Sequence, residues 1–323
     1  MRRRRFCAWG FAAGALPWPL RAQRQRKARI GVLHDTARTD PAVEAMFTRL
    51  AELGWSEIRN LSVDYVAFGA ATTDFRPMID ALLRARCELI VAIGTLPALA
   101  VKSHAPSMPM VFAIGGDPVA LGLVASLARP GGNATGWTHA SHEHHSKLLA
   151  LLAEVVPRGR RFAVMFEGGN PSMWQAFDAM RSQAEAAGLT LQAFPLRDGR
   201  DIDSADGALA REPADGLVVF FDRVTSTNIA AVVGLARRRR LPAAYGGRNF
   251  VDGGGLMSYG IDWPAQLART AEYVARILDG AKPADLPVER PTRFDLVLGL
   301  HAARVQGISL SQSLLLQATE VIR

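Results

Sequence analysis

One pattern governs what this 323-residue chain can fold into: short β-branched apolar runs alternate with amphipathic helical stretches, stop, and begin again. Residues 28–33 read as a first strand, and 41–53 as a helix that ends at Gly54. Residues 61–66 read as the next strand and 75–86 as the next helix. Residues 89–93 are apolar throughout, the mark of a strand covered on both faces. Gly94-Thr95 turns into a helix from about Pro97, and 109–114 follows as a strand. This βαβα order predicts a parallel sheet with right-handed crossovers.

After Pro130-Gly131-Gly132-Asn133 and a helix over 141–155, the same grammar restarts. Strands are predicted at 161–166, 189–194, 216–221 and 242–245, with helices over 171–187 and 229–240. A helix over 264–278, an extended linker at 282–287 and a strand at 294–298 complete the chain. The expected architecture is α/β, with two similar doubly wound lobes. Residues 28–137 and 260–284 are assigned to lobe 1, and 138–259 and 288–323 to lobe 2. A chain that leaves and re-enters each lobe makes a multi-strand hinge, which permits closure around a ligand.

The first residues follow a different grammar. Arg2, Arg3, Arg4 and Arg5 form a basic start, an apolar stretch runs over 6–20, and Arg21-Ala22-Gln23 offers a small-residue cut. That is the order of a signal peptide, here residues 1–22, cleaved after about Ala22, and the expected destination is the periplasm. Pro17 and Pro19 break a stretch already too short to span a bilayer. Arg3-Arg4-Arg5-Phe6 fits a twin-arginine signal as well as a general one. The five arginines before the cut take the net charge from +8 to +3, so the basic composition argues little for nucleic acid. Cys7 falls in the leader, which leaves Cys87 without an internal disulfide partner, and a buried structural thiol is expected there.

Long ordered blocks then carry a resemblance. Gly94-Thr95, Gly116-Asp117-Pro118-Val119 and the run over 122–133 with Gly136 form one set. Asn170-Pro171, Tyr245-Gly246 and the runs over 254–260 and 280–289 form another. With these the sequence resembles ABC-transporter substrate-binding proteins of the tryptophan-binding-like group, over nearly the whole mature chain. The resemblance implies a type I periplasmic-binding fold, a small-molecule ligand held between lobes, an ABC permease in the inner membrane as partner, no cofactor, no catalysis and a monomer. It suggests an amino acid or related carboxylate as ligand. The segment 34–42, Trp137-Thr138-His139 and His142-Glu143-His144-His145 depart from the family pattern.

Ligands of open parallel sheets sit beyond the carboxyl ends of strands, which selects the candidate contacts. Thr95 offers a hydroxyl and helix-start amides to a carboxylate, or is only a helix start. Asp117 and Asp222 could receive an ammonium, or hold a turn and cap a helix respectively. Asn170 could bind or cap. Tyr245, Tyr259 and Trp137 could stack on a ring, or pack at the hinge. His34 and Asp35 follow the first strand at a binding edge.

Other motifs carry less. His139, His142, His144 and His145 lack a cysteine or an evident fourth ligand, so a solvated helix start is expected there instead of a metal site. The run Arg237-Arg238-Arg239-Arg240 suits a helix C-terminus. The glycines at 131–136 and 253–255 match neither a dinucleotide fingerprint nor a P-loop. No nucleophile elbow is present. A sensory ligand-binding module and an exported α/β enzyme are the two alternative classes. Co-location with a permease gene separates the first from a transport component, and turnover of the bound molecule separates the second.

Overall fold

The structure is a computed structural model and describes residues 26–139 and 142–323. The first block begins with β1 (Ala28–His34), α1 (Pro41–Glu52), β2 (Leu61–Ala67), α2 (Arg76–Arg84), β3 (Leu89–Ile93) and α3 (Thr95–His104). It ends with β4 (Met110–Ile114) and β5 (Ala134–Thr138). The five strands form one parallel sheet in the order β2-β1-β3-β4-β5. Every residue of β3 and β4 is buried, as their unbroken apolar sequences require. Helix α1 starts where Asp40 accepts the Ala42 amide at 2.8 Å and Pro41 presets the first turn.

β5 has no strand signal in its sequence, Ala-Thr-Gly-Trp-Thr, and was not expected. It forms because the chain passes very close to β4. A Cβ at Gly136 would stand 1.9 Å from the Phe112 carbonyl oxygen, so only glycine fits.

The second block begins with α4 (His142–Val155), β6 (Arg161–Glu167), α5 (Pro171–Ala186), β7 (Thr190–Leu196), α6 (Asp201–Arg211) and β8 (Gly216–Val219). It continues with α7 (Arg223–Thr227), α8 (Ile229–Arg238), β9 (Ala243–Tyr245), α9 (Arg248–Asp252) and β10 (Met257–Gly260). Helix α10 (Trp263–Leu278) then returns to the first block, where its Leu267, Ala271 and Val274 pack with Val43 and Met46 of α1. The chain crosses once more to β11 (Asp295–Gly299), α11 (Leu300–Gln306), α12 (Gln312–Gln317) and β12 (Glu320–Ile322). The second sheet runs β12-β11-β10-β9-β8-β6-β7, with β10 and β11 antiparallel and its other neighbours parallel.

Each sheet is covered on both faces by its own apolar cluster, so each lobe has an independent core. Three crossings join the lobes, after Thr138, after Gly260 and beyond Glu289. The third holds the edge of β5 until it leaves: the Thr138 amide donates to Glu289 O at 3.0 Å, and the Glu289 amide to Gly136 O at 3.1 Å. No helix among the described residues is long and apolar enough to cross a membrane. The leader expected at 1–22 lies outside the described residues.

Candidate functional site

Strand ends from both sheets face the gap between the lobes, and a cavity of about 840 Å3 fills it and continues along lobe 2 past Arg248 and Glu320. The lobe 1 wall begins at the end of β1. The His34 ring is buried, and that burial lowers its pKa to about 4, so it is neutral. Its Nε2 lies 3.2 Å from Asp35 Oδ1 and its Nδ1 lies 2.8 Å from the Thr36 hydroxyl. One proton arrangement satisfies both contacts: Nε2–H donates to the carboxylate and Thr36 donates to Nδ1. Tyr65 donates to the Thr36 carbonyl at 2.9 Å and steadies the turn. The Asp35 side chain is 16% exposed. Burial pushes its carboxyl up to about 6, Asp40 pushes the same way, and its own amide and Arg223 oppose.

Next along the wall, α3 starts at buried Thr95 without a side-chain cap. The leading amides of Thr95 and Leu96 are the unsatisfied donors of a helix start, and both residues line the cavity. At the hinge, His139 and Trp263 meet edge to face at 5.5 Å, and Trp263 lies 5.1 Å from Phe221 of lobe 2. Burial lowers the His139 pKa to about 3.

The lobe 2 wall is built from capping groups. Asp222 accepts the Thr225 amide at 2.9 Å and the Glu167 amide at 2.8 Å. Thr225 returns the favour to the Asp222 amide at 3.2 Å, which completes a capping box at α7. Burial pushes the Asp222 carboxyl up to about 7, with Glu167 adding and the two amides opposing. Asn170 accepts the Ser172 amide at 3.1 Å and caps α5.

Arg223 spans the gap. Its Nε donates to Glu167 Oε1 at 3.1 Å and its Nη2 pairs with the same oxygen. Its Nη1 donates to lobe 1, at 2.7 Å to Thr72 O and 3.1 Å to Gly69 O. The pair is secluded, with Arg223 10% and Glu167 4% exposed. Burial pushes the Glu167 carboxyl up, and the Arg223 charge opposes. A second close approach joins Gly116 of lobe 1 to Ser172 of lobe 2. A Cβ at Gly116 would stand 2.1 Å from Ser172 Oγ. The lobes are therefore in contact in this structure.

Of the nine residues singled out in the sequence, His34, Asp35, Thr95, Asn170 and Asp222 line the cavity. Asp117, Trp137, Tyr245 and Tyr259 do not. The Asp117 carboxylate turns back to the amides of Val119 and Ala120, at 2.9 and 3.4 Å. Trp137 points into the lobe 1 core, where Nε1 donates to Thr270 Oγ1 of α10 at 2.8 Å. Tyr245 stacks on Phe250 at 4.9 Å inside lobe 2. Tyr259 stacks against His144 and Phe294, each at 5.6 Å. Successive strand residues face opposite ways, and on β10 it is Ser258, next to Tyr259, that reaches the cavity.

The expectation of a solvated histidine start for α4 is also corrected. His139, His144 and His145 are buried, and His145 packs on Phe220 at 4.2 Å. The side chain of His142 lies outside the described residues. Among the described residues, no group of three histidine, cysteine, aspartate or glutamate side chains could hold a metal ion. Cys87 is buried, as its sequence context suggested.

Sequence reasoning missed Arg223, Glu167 and Phe221. Phe221 and Arg223 flank Asp222 directly, so the strand-end rule that selected Asp222 could have reached them.

A family description, ABC transporter substrate binding protein, matches residues 30–322. The Tyrosine-binding protein of Clostridioides difficile (strain R20291) is 21% identical over 291 residues, 89% of this chain and 84% of that protein. The crystal structure of an ABC domain from Streptococcus pneumonia in complex with L-Trp superposes with a TM-score of 0.83 at 25% identity, over 92% of this chain and all (100%) of that one. A conserved domain protein from Vibrio cholerae matches equally well, with a TM-score of 0.83 at 26% identity over 92% of this chain and 100% of that chain.

Proposed function

Because the chain belongs to the ABC transporter substrate-binding protein family, we propose that it captures an amino acid or related carboxylate between its lobes and delivers it to an ABC-type permease in the inner membrane. The family is one of substrate-binding proteins, not enzymes, and one relative above is a tyrosine-binding protein. The proposal includes export to the periplasm with the leader removed after about Ala22, and action as a monomer without nucleic acid.

The observation that carries this reading is the cavity itself, walled by strand ends of both lobes and bridged by Arg223. Asp35 supplies a carboxylate for a ligand ammonium. The amides at the start of α3 and the Thr95 hydroxyl supply neutral donors for a carboxylate. Phe68, Phe221 and Trp263 line the same space with apolar surface. The ligands of two relatives, L-Trp and tyrosine, support an aromatic amino acid as first choice.

The mechanism follows from where the groups sit. A ligand seated on lobe 1 gains the lobe 2 contacts only when the lobes meet. Closure also forms the bonds from Arg223 to Thr72 and Gly69. Interactions present only in the closed form shift the population towards it. A permease that recognises the closed surface then receives loaded protein selectively.

Thermal unfolding of the mature protein, stripped of ligand by unfolding and refolding, tests the reading against amino acids and small carboxylates. A binder at about 1,000 times its Kd adds about 4 kcal/mol of stability. A large upward shift in Tm with one chemical class is expected. No shift with any amino acid or carboxylate would overturn the assignment of ligand class.

A further inference from the structure

The charges around the cavity do not balance. Eight carboxylates and three guanidinium groups line it, with no lysine, although the chain without its leader carries an excess of positive charge. The three guanidinium groups are already engaged. Arg223 directs four hydrogen bonds, out of five N–H groups, to Glu167, Gly69 and Thr72. Arg248 is held by Glu320 at 2.9 Å and Asp252 at 3.3 Å. Arg293 is held by Asp295 at 3.0 Å. His34 and His139 are buried and neutral. A ligand carboxylate therefore meets helix-start amides and hydroxyls, but no cation with its charge uncommitted.

The carboxylates divide differently. Glu167 is neutralised by Arg223, and Asp222 is filled by two amides. Asp40 and Asp262 cap α1 and α10. Asp35 is left facing the cavity with the neutral His34 ring as its side-chain donor. The buried atoms of the same wall that have no hydrogen-bond partner among the described residues add neutral groups: Ser258 Oγ and His139 Nδ1 can accept, and Trp263 Nε1 can only donate. None of them carries a charge, so Asp35 stays the charged group that this wall offers a ligand.

We infer that an ammonium group on the ligand decides recognition here and that a ligand carboxylate is dispensable, so that the site takes primary amines as well as amino acids of the same side chain and rejects the deaminated acids. The inference rests on the amino-acid reading above and narrows it, because it removes simple carboxylates from the ligand class. Asp35 is the residue assigned to the ammonium, and His34 is its positioning residue.

Titration calorimetry on the stripped mature protein at about pH 8, where an alkyl ammonium is still charged, tests this with matched triplets. One set is tryptophan, tryptamine and indolepropionate. A second is tyrosine, tyramine and hydroxyphenylpropionate, and a third is leucine, isoamylamine and isocaproate. In whichever triplet binds, the amine is expected to hold a Kd within about tenfold of the amino acid, and the acid to be weaker by at least about a hundredfold. An acid that binds as tightly as its amino acid, or an amine weaker by about a hundredfold, overturns the inference and leaves the amino-acid reading standing. Silence from all three triplets overturns the inference together with the aromatic first choice, and the Tm screen over all amino acids then decides the amino-acid reading. Asp35→Asn separates the charge from the shape. It is expected to weaken the amine and the amino acid alike by about thirtyfold or more, with Tm unchanged. Unchanged affinity for the amine would remove Asp35 from the role.

Discussion

The two walls of the cavity come from the same kind of segment, the first residues beyond parallel strands, yet they commit their polar groups differently. In lobe 2 almost every such group is used to build. Asp222 closes a capping box and ties down the Glu167 amide, Asn170 caps α5, and Glu167 is paired with Arg223. In lobe 1 the equivalent groups are held in place but not used up. His34 is fixed by Thr36 and Tyr65, Asp35 has a single neutral side-chain donor, and the start of α3 has no side-chain cap. The lesson is that position at a strand end marks a candidate, and unmet valence decides whether it binds. On that basis we propose lobe 1 as the recognition wall and lobe 2 as the rigid lid that latches on to it.

Breaking the latch gives the largest expected effect. Arg223→Met leaves the Glu167 carboxylate buried without its partner, and stability should fall by about 3–5 kcal/mol in denaturant titration. Adding Glu167→Leu removes the stranded charge and should restore most of that loss. Ligand affinity should stay reduced in the double variant, because the bonds to Thr72 and Gly69 are still missing. A double variant that binds like the parent would show that closure does not depend on Arg223.

The comparison sharpens when one carboxylate from each wall is removed. Asp222→Ala uncaps α7 and orphans the buried Glu167 and Thr225 amides. It should cost about 2–3 kcal/mol of stability. Asp35→Asn should leave Tm in place and act on ligand affinity. If instead Asp222→Ala spares stability and abolishes binding, the roles assigned to the two walls are reversed.

What the sequence made legible follows the same line. The strands at 89–93 and 110–114 were plain because burial on both faces requires unbroken apolar runs. β5 was hidden because its main requirement is a glycine where the backbone approaches Phe112, not an apolar pattern. Asp222 and Asn170 were correctly placed after strands, but a capping group and a ligand contact have the same local sequence. Only the bonds to Thr225, Glu167 and Ser172 distinguish them. Tyr245, Tyr259 and Trp137 were chosen for position, and strand alternation turned each into a core. Arg223 escaped because its carbonyl partners, Thr72 and Gly69, lie 151 and 154 residues away.

A gentler perturbation of closure comes from Gly116→Ala. The added methyl meets Ser172 Oγ at 2.1 Å across the lobes, and within lobe 1 it meets Leu121 Cδ1 at 2.6 Å, the end of a side chain that can turn aside. Affinity is expected to drop by about tenfold, with a smaller loss of ligand-free stability from the displaced Leu121 side chain. Gly116→Ala with Ser172→Ala should recover part of the loss, because the nearest obstructing atom is gone and Ser172 Cβ at 3.0 Å remains. No change with Gly116→Ala would mean that the ligand-bound lobes stand further apart than in this structure.

The smallest effect is on pH, and it separates ligand affinity from stability. Asp35 must be ionised to hold an ammonium, and burial with the Asp40 charge places its carboxyl near 6, against its own amide and Arg223. Affinity should therefore be flat above about pH 7 and fall by up to about tenfold per unit below about pH 6. His34 stays neutral until about pH 4, so it adds nothing in this window. For stability, two sets of groups oppose each other. Asp222, raised to about 7 from 3.8, Asp35 and Glu167 are carboxyls raised in the folded state, and their contribution is lost as pH climbs through the folded pKa. His34, His139 and His144 are lowered from 6.5 by burial, and they favour the folded state as pH rises through 6.5. The opposing slopes largely cancel, so ligand-free stability should change little between pH 5 and about pH 8, while affinity falls below about pH 6. Affinity by calorimetry and unfolding of the empty protein, both measured from pH 5 to about pH 8, check the separation. Stability that falls on acidification in step with affinity would mean that the ionised Asp35 supports the fold as well as the ligand.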